Sequence, residues 1–307
     1  MKLSVVICAY NPKPAIFQQV FDSLKKQTLD KSAWELIIVD NNSNIPIDSW
    51  VDLSWHPNAK IVQELTSGLI FSRIKGNETA RGKYVVTVDD DTPLQNDYLT
   101  GVINFFDQND TVGIIGGKCK PVYETEIVPE WINLLPSSIS GRDFGEEIIV
   151  ERHDVTTKLD NYPKYSPILM AYRKAVFDDF ITQFDSEKNG ILGRKGNSLT
   201  SGEDNDIILY FYKNGWGTAY CPHLCFSHFI PAYRLTFQYA KKLLFHSNRS
   251  WVKVLALHGI CPWHKIPRTT IWLRNLKSYI FLKAWVSETN YLKWKGACGT
   301  FKGLSEI

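Results

Sequence analysis

Over its first third the chain alternates short apolar runs with stretches of helical spacing. Leu3–Cys8 is a β-branched run of the length of a buried strand. In residues 14–27, Ile16, Val20 and Leu24 share one helical face. Glu35–Asp40 reads as a second buried strand, Ala59–Leu65 as a third, Lys83–Asp89 as a fourth and Val112–Lys118 as a fifth. Gly68–Arg81 and Asn96–Phe106 have helical spacing, with Gly82 placed to cap the first of them. Strands joined by helical crossovers predict an α/β fold with a parallel sheet. Residues 120–165 are polar and irregular, with Pro121, Pro129, Pro136 and Pro163. Residues 186–203 carry Gly190, Gly193, Gly196 and Gly202 and read as a mobile loop. Ile207–Tyr212 is helical again, and from about Pro231 the chain is helical, basic and aromatic.

The 307 residues suit one large domain or two sharing a core. With 44% apolar and 22% charged residues, a mostly disordered or fibrous chain is excluded. Six scattered cysteines form no disulfide framework and point to reduced thiols in the cytosol. The first apolar run is too short for a signal peptide, and no stretch reaches the ~18 residues of a membrane span. Charge is unevenly spread. Residues 229–307 hold 13 Lys and Arg against 2 Asp and Glu, while residues 1–228 hold 22 against 30, so a net +3 divides into +11 and −8. Five of the 10 Trp also lie in the tail. Chemistry in an acidic body and attachment through a basic tail are the expectation.

Open α/β sheets bind ligands at the carboxyl ends of their strands. Three such ends carry chemistry: Ala9-Tyr10-Asn11-Pro12, Asp40-Asn41-Asn42-Ser43 and Asp89-Asp90-Asp91-Thr92. Three consecutive carboxylates repel unless a cation joins them, and a hard ion with oxygen ligands, Mn²⁺ or Mg²⁺, suits the site. A solvated acidic turn is the plain alternative. No glycine-rich phosphate cradle follows the first strand, so a nucleotide's phosphates would rely on a metal and on cations such as Arg73. A second acidic cluster, Glu203-Asp204-Asn205-Asp206 after Gly202, is either a helix cap or a general base held at a helix N-terminus. Cys221-Pro222-His223-Leu224-Cys225 with His228 could be read as a zinc cluster, but no second pair with finger spacing follows.

In their order, these segments resemble the family 2 glycosyltransferases, inverting nucleotide-sugar enzymes of the GT-A fold. The likeness covers roughly residues 3–235. It rests on Leu3–Asn11, Ile37–Ser43, Gly68–Arg73 with Ala80-Arg81-Gly82, Val88–Asp91, Met170–Arg173, Gly202–Asp206 and the late His228. Ile74 stands where the family usually has Asn, and Ser166–Leu169 where it has a glycine. The resemblance implies a GT-A, Rossmann-like sheet, mixed but mainly parallel, with a C-terminal helical extension. Residues 1–118 would be the nucleotide-sugar half, 119–230 the acceptor and catalytic-base half, and 231–307 the basic aromatic extension. It implies that Ala9, Tyr10, Asn11, Asp40, Arg73, Asp89 and Asp90 bind the nucleotide. Asp91, with Asp89 and His228, would hold the metal. Asp204 would be the catalytic base, with Glu203, Met170 and Arg173 on the acceptor.

The implied activity is metal-dependent, inverting transfer of a hexose from a nucleotide-diphosphate donor, UDP by family habit, to a hydroxyl of a glycan or lipid-linked saccharide. Bacterial surface polysaccharide synthesis is the expected setting. A sugar-nucleotide nucleotidyltransferase is the second enzyme reading, and a non-catalytic glycan-binding scaffold the third. The tail interleaves Trp263, Trp272, Trp285 and Trp294 with Lys and Arg. It is read as a membrane-surface segment at the inner face of the cell membrane, with packing onto the body or a homodimer partner as the alternative. Arg234 and Lys241-Lys242 are placed to close over the diphosphate. No nucleic-acid module is present, and nucleic-acid binding is not expected.

Overall fold

The computed structural model describes residues 1–185, 199 and 202–307. Most of the glycine-rich 186–203 stretch, including Gly190, Gly193 and Gly196, lies outside the described residues. Among the described residues the strands are β1 (Leu3–Ala9), β2 (Trp34–Asp40), β3 (Ala59–Gln63), β4 (Tyr84–Asp89), β5 (Val112–Tyr123), β6 (Ile149–Glu151), β7 (Ala171–Arg173) and β8 (Gly217–Ile230). They form one sheet in the order β3-β2-β1-β4-β7-β5-β8-β6. β1 to β4 pair in parallel, as do β5 and β8. β7 runs antiparallel between β4 and β5, and β6 antiparallel on the edge.

The α-helices among the described residues are α1 (Pro14–Lys25), α2 (Leu69–Thr79), α3 (Tyr98–Gln108), α4 (Ser137–Ser140), α5 (Lys174–Gln183), α6 (Glu203–Lys213), α7 (Phe237–Leu257), α8 (Ile271–Phe281) and α9 (Glu288–Leu304). The two-residue period of the strands sorts side chains between two helical layers. Leu3, Val5, Ile7, Leu36, Ile38 and Val86 pack against Phe17, Val20, Leu24, Val102 and Phe106 of α1 and α3. Val6, Ile37, Val39 and Val85 pack against Ile70, Phe177, Phe180, Ile207 and Phe211 of α2, α5 and α6. Burial on both faces explains the unbroken apolar runs in β1 and β2. Each such side chain contributes roughly 1.5–3 kcal/mol.

Two expectations change. The helix over residues 68–81 ends at Thr79, and Ala80 rather than Gly82 stands at its C-cap, with φ −70° and ψ 140°. Gly82 instead passes close to β1, where a Cβ would lie 2.5 Å from Leu3 C and Ser4 N, and its N–H donates to Ser4 Oγ at 2.9 Å. The fifth strand continues to Tyr123, so part of the irregular stretch pairs with β8. That pairing slips between Gly117 and Lys118, whose partners are Cys221 and Cys225, and Pro222-His223-Leu224 bulges out between them. Pro222 has no N–H for a regular ladder, so a bulge is where it belongs.

The C-terminal segment shares cores with the body. Ala240, Leu243 and Leu244 of α7 and Leu292 of α9 pack with Trp131, Leu135, Ile139 and Ile230. Val254 and Leu255 pack with Leu209 of α6. α8 has no buried residue and is tied to α9 by the Trp294 indole N–H donating to Asn275 O at 2.9 Å. Among the described residues no helix is long and apolar enough to cross a membrane.

Candidate active site

Parallel pairing sets Ala9 beside Asp40 and Cys8 beside Asp89, bringing three strand ends together. The loops after β1 and β2 are clamped to each other. Asn11 and Asn42 adopt left-handed backbone (φ 48° and 63°), a region that Asn tolerates. Asn11 N–H donates to Ser43 Oγ at 3.0 Å, and Asn44 N–H donates to Asn11 Oδ1 at 2.8 Å. Asn41 then joins this corner to α2: its amide donates to Glu64 O and Thr66 O, and its Oδ1 accepts from Gly68 N–H. α2 carries Arg73 inward, where it is 6% exposed.

A cavity of about 680 Å³ opens over these ends. Ala9, Tyr10, Arg73, Asp89, Asp90, Asp91, Met170, Glu203, Asp204, His228 and Arg234 all line it. The turn after β4 is tied to β8 on both sides of His228: Ser227 N–H donates to Pro93 O and Phe229 N–H to Asp91 O. His228 Nε2 therefore lies 3.4 Å from Asp91 Oδ1, and Arg234 Nη1 lies 3.8 Å from Asp91 Oδ2. The other ring nitrogen of His228, Nδ1, contacts Ser138 O on α4. Burial opposes the charged form of His228, but the Asp91 carboxylate outweighs it and pushes the imidazole up to about 10. Burial and the neighbouring Asp91 push Asp89 above the usual carboxylate range, and burial with Asp91 and Asp89 pushes Asp90 up to about 7.

The second acidic cluster enters from α6. Gly202 precedes the helix, Glu203 is buried in its first turn, and Asp204 is half-exposed to the cavity. Asp204 forms an ion pair with Arg73. Burial, then the Asp204 charge, raises Glu203 well above its ordinary value. Burial disfavours charge on Arg73, but Asp204, Glu203 and Asp89 hold it protonated above its usual range. Arg73 is thus the cation around which Asp89, Glu203 and Asp204, from two distant segments, share one hollow.

The Glycosyl transferase family 2 description matches residues 4–180. The chain belongs to that family. A glucosyl-dolichyl phosphate glucuronosyltransferase of Haloferax volcanii is 22% identical over 226 residues, 69% of this chain and 64% of that protein. A poly(ribitol-phosphate) beta-glucosyltransferase of Bacillus spizizenii is 30% identical over 129 residues, 40% of this chain and 20% of that protein. The chain thus spans less than two thirds of either relative's length. Among solved structures, S. aureus TarS 1–349 superposes with a TM-score of 0.55 at 18% identity, covering 100% of this chain and 90% of that one. The same protein solved with UDP-GlcNAc gives 0.53 at 16% identity, covering 100% and 91%. The fold is therefore the GT-A fold of a family 2 glycosyltransferase.

Several residues expected to contact a ligand do not line the cavity. Arg173 lies beside Tyr84 at the start of β4, at the opposite end of the strands, where its guanidinium donates to Val112 O, Phe106 O and Asn109 O, so it does not line the cavity. Asp40 is buried, and its carboxylate accepts from Ser43 N–H and Ile47 N–H; it shapes the loop after β2. Asn11 clamps loops as described and is not among the lining residues. Lys241 lies over the Phe237 ring, and neither it nor Lys242 lines the cavity, although Arg234 does. Cys221 and Cys225 are buried on either side of the bulge while His223 is exposed, so they do not gather around a zinc ion.

Among the described residues no three His, Cys, Asp or Glu are grouped to hold a metal. Asp91 and His228 face each other across the cavity wall, and the ring is anchored through Nδ1 to Ser138 O, so these two are the residues that could hold a hard cation. Two protein ligands suit an ion that takes the rest of its shell from substrate phosphates and water. The cavity also includes Asn41, Ser138, Arg142, Ser166 and Tyr233, none of which sequence reasoning named as site residues. Arg142 stands in a stretch without periodicity, and nothing in its local sequence distinguishes it from a surface arginine.

Proposed function

We propose that the protein is a metal-dependent, inverting glycosyltransferase that moves a sugar from a uridine-diphosphate donor to a hydroxyl of a lipid-linked or polymeric acceptor. One observation carries this reading: Asp91 and Asp204, far apart in sequence, line the same cavity. The solved TarS complexes with UDP and UDP-GlcNAc support the choice of carrier. The names of the two transferase relatives, one acting on a dolichyl phosphate and one on a polyol phosphate, support the choice of acceptor.

Tyr10, 57% exposed at the end of β1, offers a ring on which the base stacks. Asp91 and His228 would hold Mn²⁺ or Mg²⁺, which supplies positive charge to the departing diphosphate. Arg234, beside Asp91, adds a protein cation there. Asp204 takes the proton of the acceptor hydroxyl, and Arg73 orients that carboxylate. Attack opposite the diphosphate in one displacement inverts the anomeric centre and needs no covalent enzyme intermediate. Release of UDP from a panel of UDP-sugars with Mn²⁺ tests this. Asp204→Asn should lower turnover about 10²–10⁴-fold with UDP affinity unchanged, whereas Asp91→Asn should weaken UDP binding and its metal dependence. Equal turnover by wild type and Asp204→Asn removes Asp204 as the base.

The extension is proposed as a foot on an anionic membrane surface at the cytoplasmic face. Trp272, Leu273, Leu276, Ile280 and Phe281 are exposed on α8, interleaved with exposed Arg274 and Lys277. Trp272, Leu273, Leu276 and Ile280 share one face, with Phe281, Arg274 and Lys277 beside it, and such an apolar face bordered by cations fits an interface carrying acidic lipids. Sedimentation with vesicles containing phosphatidylglycerol should retain wild type and release a Trp272→Ser/Phe281→Ser variant. A solution dimer that the same variant abolishes, without vesicle binding by wild type, would assign the face to a second copy instead.

A further inference from the structure

Arg142 is a cation in the cavity wall that the proposed reaction leaves unused. It follows α4 and is pinned to β5, its N–H and C=O each bonded to Cys119 at 3.0 Å. The residue is 8% exposed, yet Nε and Nη2 have no hydrogen-bond partner, and among the described residues no carboxylate forms an ion pair with it. Phe144 offers only a ring face, 4.6 Å from the guanidinium carbon. Burial pulls the pKa of Arg142 below its ordinary value, whereas Arg73, buried equally deeply, is answered by Asp204. Unmet charged donors in a buried wall are costly, and native proteins keep few of them without a use.

The surroundings of Arg142 belong to the side of the base. Its electrostatic neighbour Tyr162 donates its hydroxyl to Asn205 Oδ1 at 2.6 Å, next to Asp204. Ser166 lines both the main cavity and a second one of about 490 Å³, whose wall includes Tyr162, Lys164, Trp251 and Trp263. Ser166 thus stands between the hollow that Arg142 lines and a neighbouring one walled by aromatic rings and another cation. A planar guanidinium with free donors matches the two oxygens of a carboxylate or phosphate.

We propose that Arg142 binds an oxyanion carried by the acceptor, so that the accepted alcohol is a phosphate- or carboxylate-bearing saccharide or polyol. This rests on Asp204 marking the acceptor side. The probes are glycerol 3-phosphate, glucuronate and neutral glycerol, titrated by NMR into wild type, Arg142→Gln and Arg142→Lys, with and without saturating UDP and Mn²⁺. Wild type should prefer either anion over glycerol by about ten-fold or more, the worth of a charged hydrogen bond. Arg142→Gln should erase the preference with UDP affinity intact. Arg142→Lys should keep part of it, and serves if Arg142→Gln does not fold. A preference that survives Arg142→Gln, or is missing from wild type, overturns the assignment. So does a loss in Arg142→Gln confined to UDP-glucuronate relative to UDP-glucose, which would place the anion on the donor. If UDP fails to bind wild type, the donor reading falls, while the nucleotide-free titrations still decide the role of Arg142.

Discussion

The two walls of the cavity are made in different ways. The nucleotide-side wall consists of the ends of β1, β2 and β4, and parallel register alone sets Ala9 beside Asp40 and Cys8 beside Asp89. The far wall takes Ser138, Arg142, Ser166, Asp204 and His228 from separate segments, held by single ties such as Phe229 N–H to Asp91 O. A chain can write the first wall as short local words, because the sheet delivers each residue after a strand to the same edge. The second wall exists only after long-range packing has joined the pieces.

The sharpest way to break that contrast is at the seam between β5 and β8. A Cβ on Gly117 would sit 1.4 Å from Leu224 O, a backbone atom of the bulge that brings His228 back into register. Gly117→Ala should destabilise the protein by about 3 kcal/mol or more, lowering Tm by roughly 5–10 °C. At Gly101, within α3, the nearest obstacle at 2.9 Å is a flexible side-chain end, Leu224 Cδ2. Gly101→Ala should therefore change stability by less than about 1 kcal/mol, its helix-propensity gain offsetting the crowding. Thermal melts of the two variants check this. A loss at Gly117 as small as that at Gly101 would mean that the seam tolerates slippage and that the far wall depends little on it.

The same contrast explains what could be read in advance. Strand runs and the acidic turns after them were legible because buried parallel strands leave nearly unbroken apolar runs and their ends collect chemistry. Asp89–Asp91 and Glu203–Asp204 were legible as clusters, although nothing local said that Arg73 would join them. Arg173 misled because its segment matches a pattern, while the direction of its side chain depends on β7 running antiparallel between β4 and β5. Asp40 misled because a carboxylate at a strand end can equally serve its own loop, as its bonds to Ser43 and Ile47 do. Arg142 was invisible because its distinction is a lack of partners after burial, a property of the folded wall.

The smallest effect is expected at the other end of the chain, where charged ties inside the extension add to the apolar packing that seats it on the body. Glu306 accepts from Arg249 Nε and Nη2 at 2.7 and 2.8 Å and pairs with Lys253 at 2.9 Å and Lys302 at 3.2 Å, joining the end of the chain to α7 and α9. Burial alone would raise its pKa, but these three cations lower it from 4.5 to about 2. A carboxylate depressed in the folded state contributes stability above its unfolded value, and that contribution fades as pH falls from about 5 towards 2. Glu306→Gln keeps the shape and removes the charge, so it should cost about 1–2 kcal/mol at pH 7, discounted for partial solvent screening. Urea midpoints of the two proteins should differ by a constant amount above pH 6 and converge as pH drops through 4. A gap unchanged down to pH 3 would show that packing rather than charge holds Glu306 against α7 and α9, and the extension would then be tied internally by the same kind of force that seats it on the body.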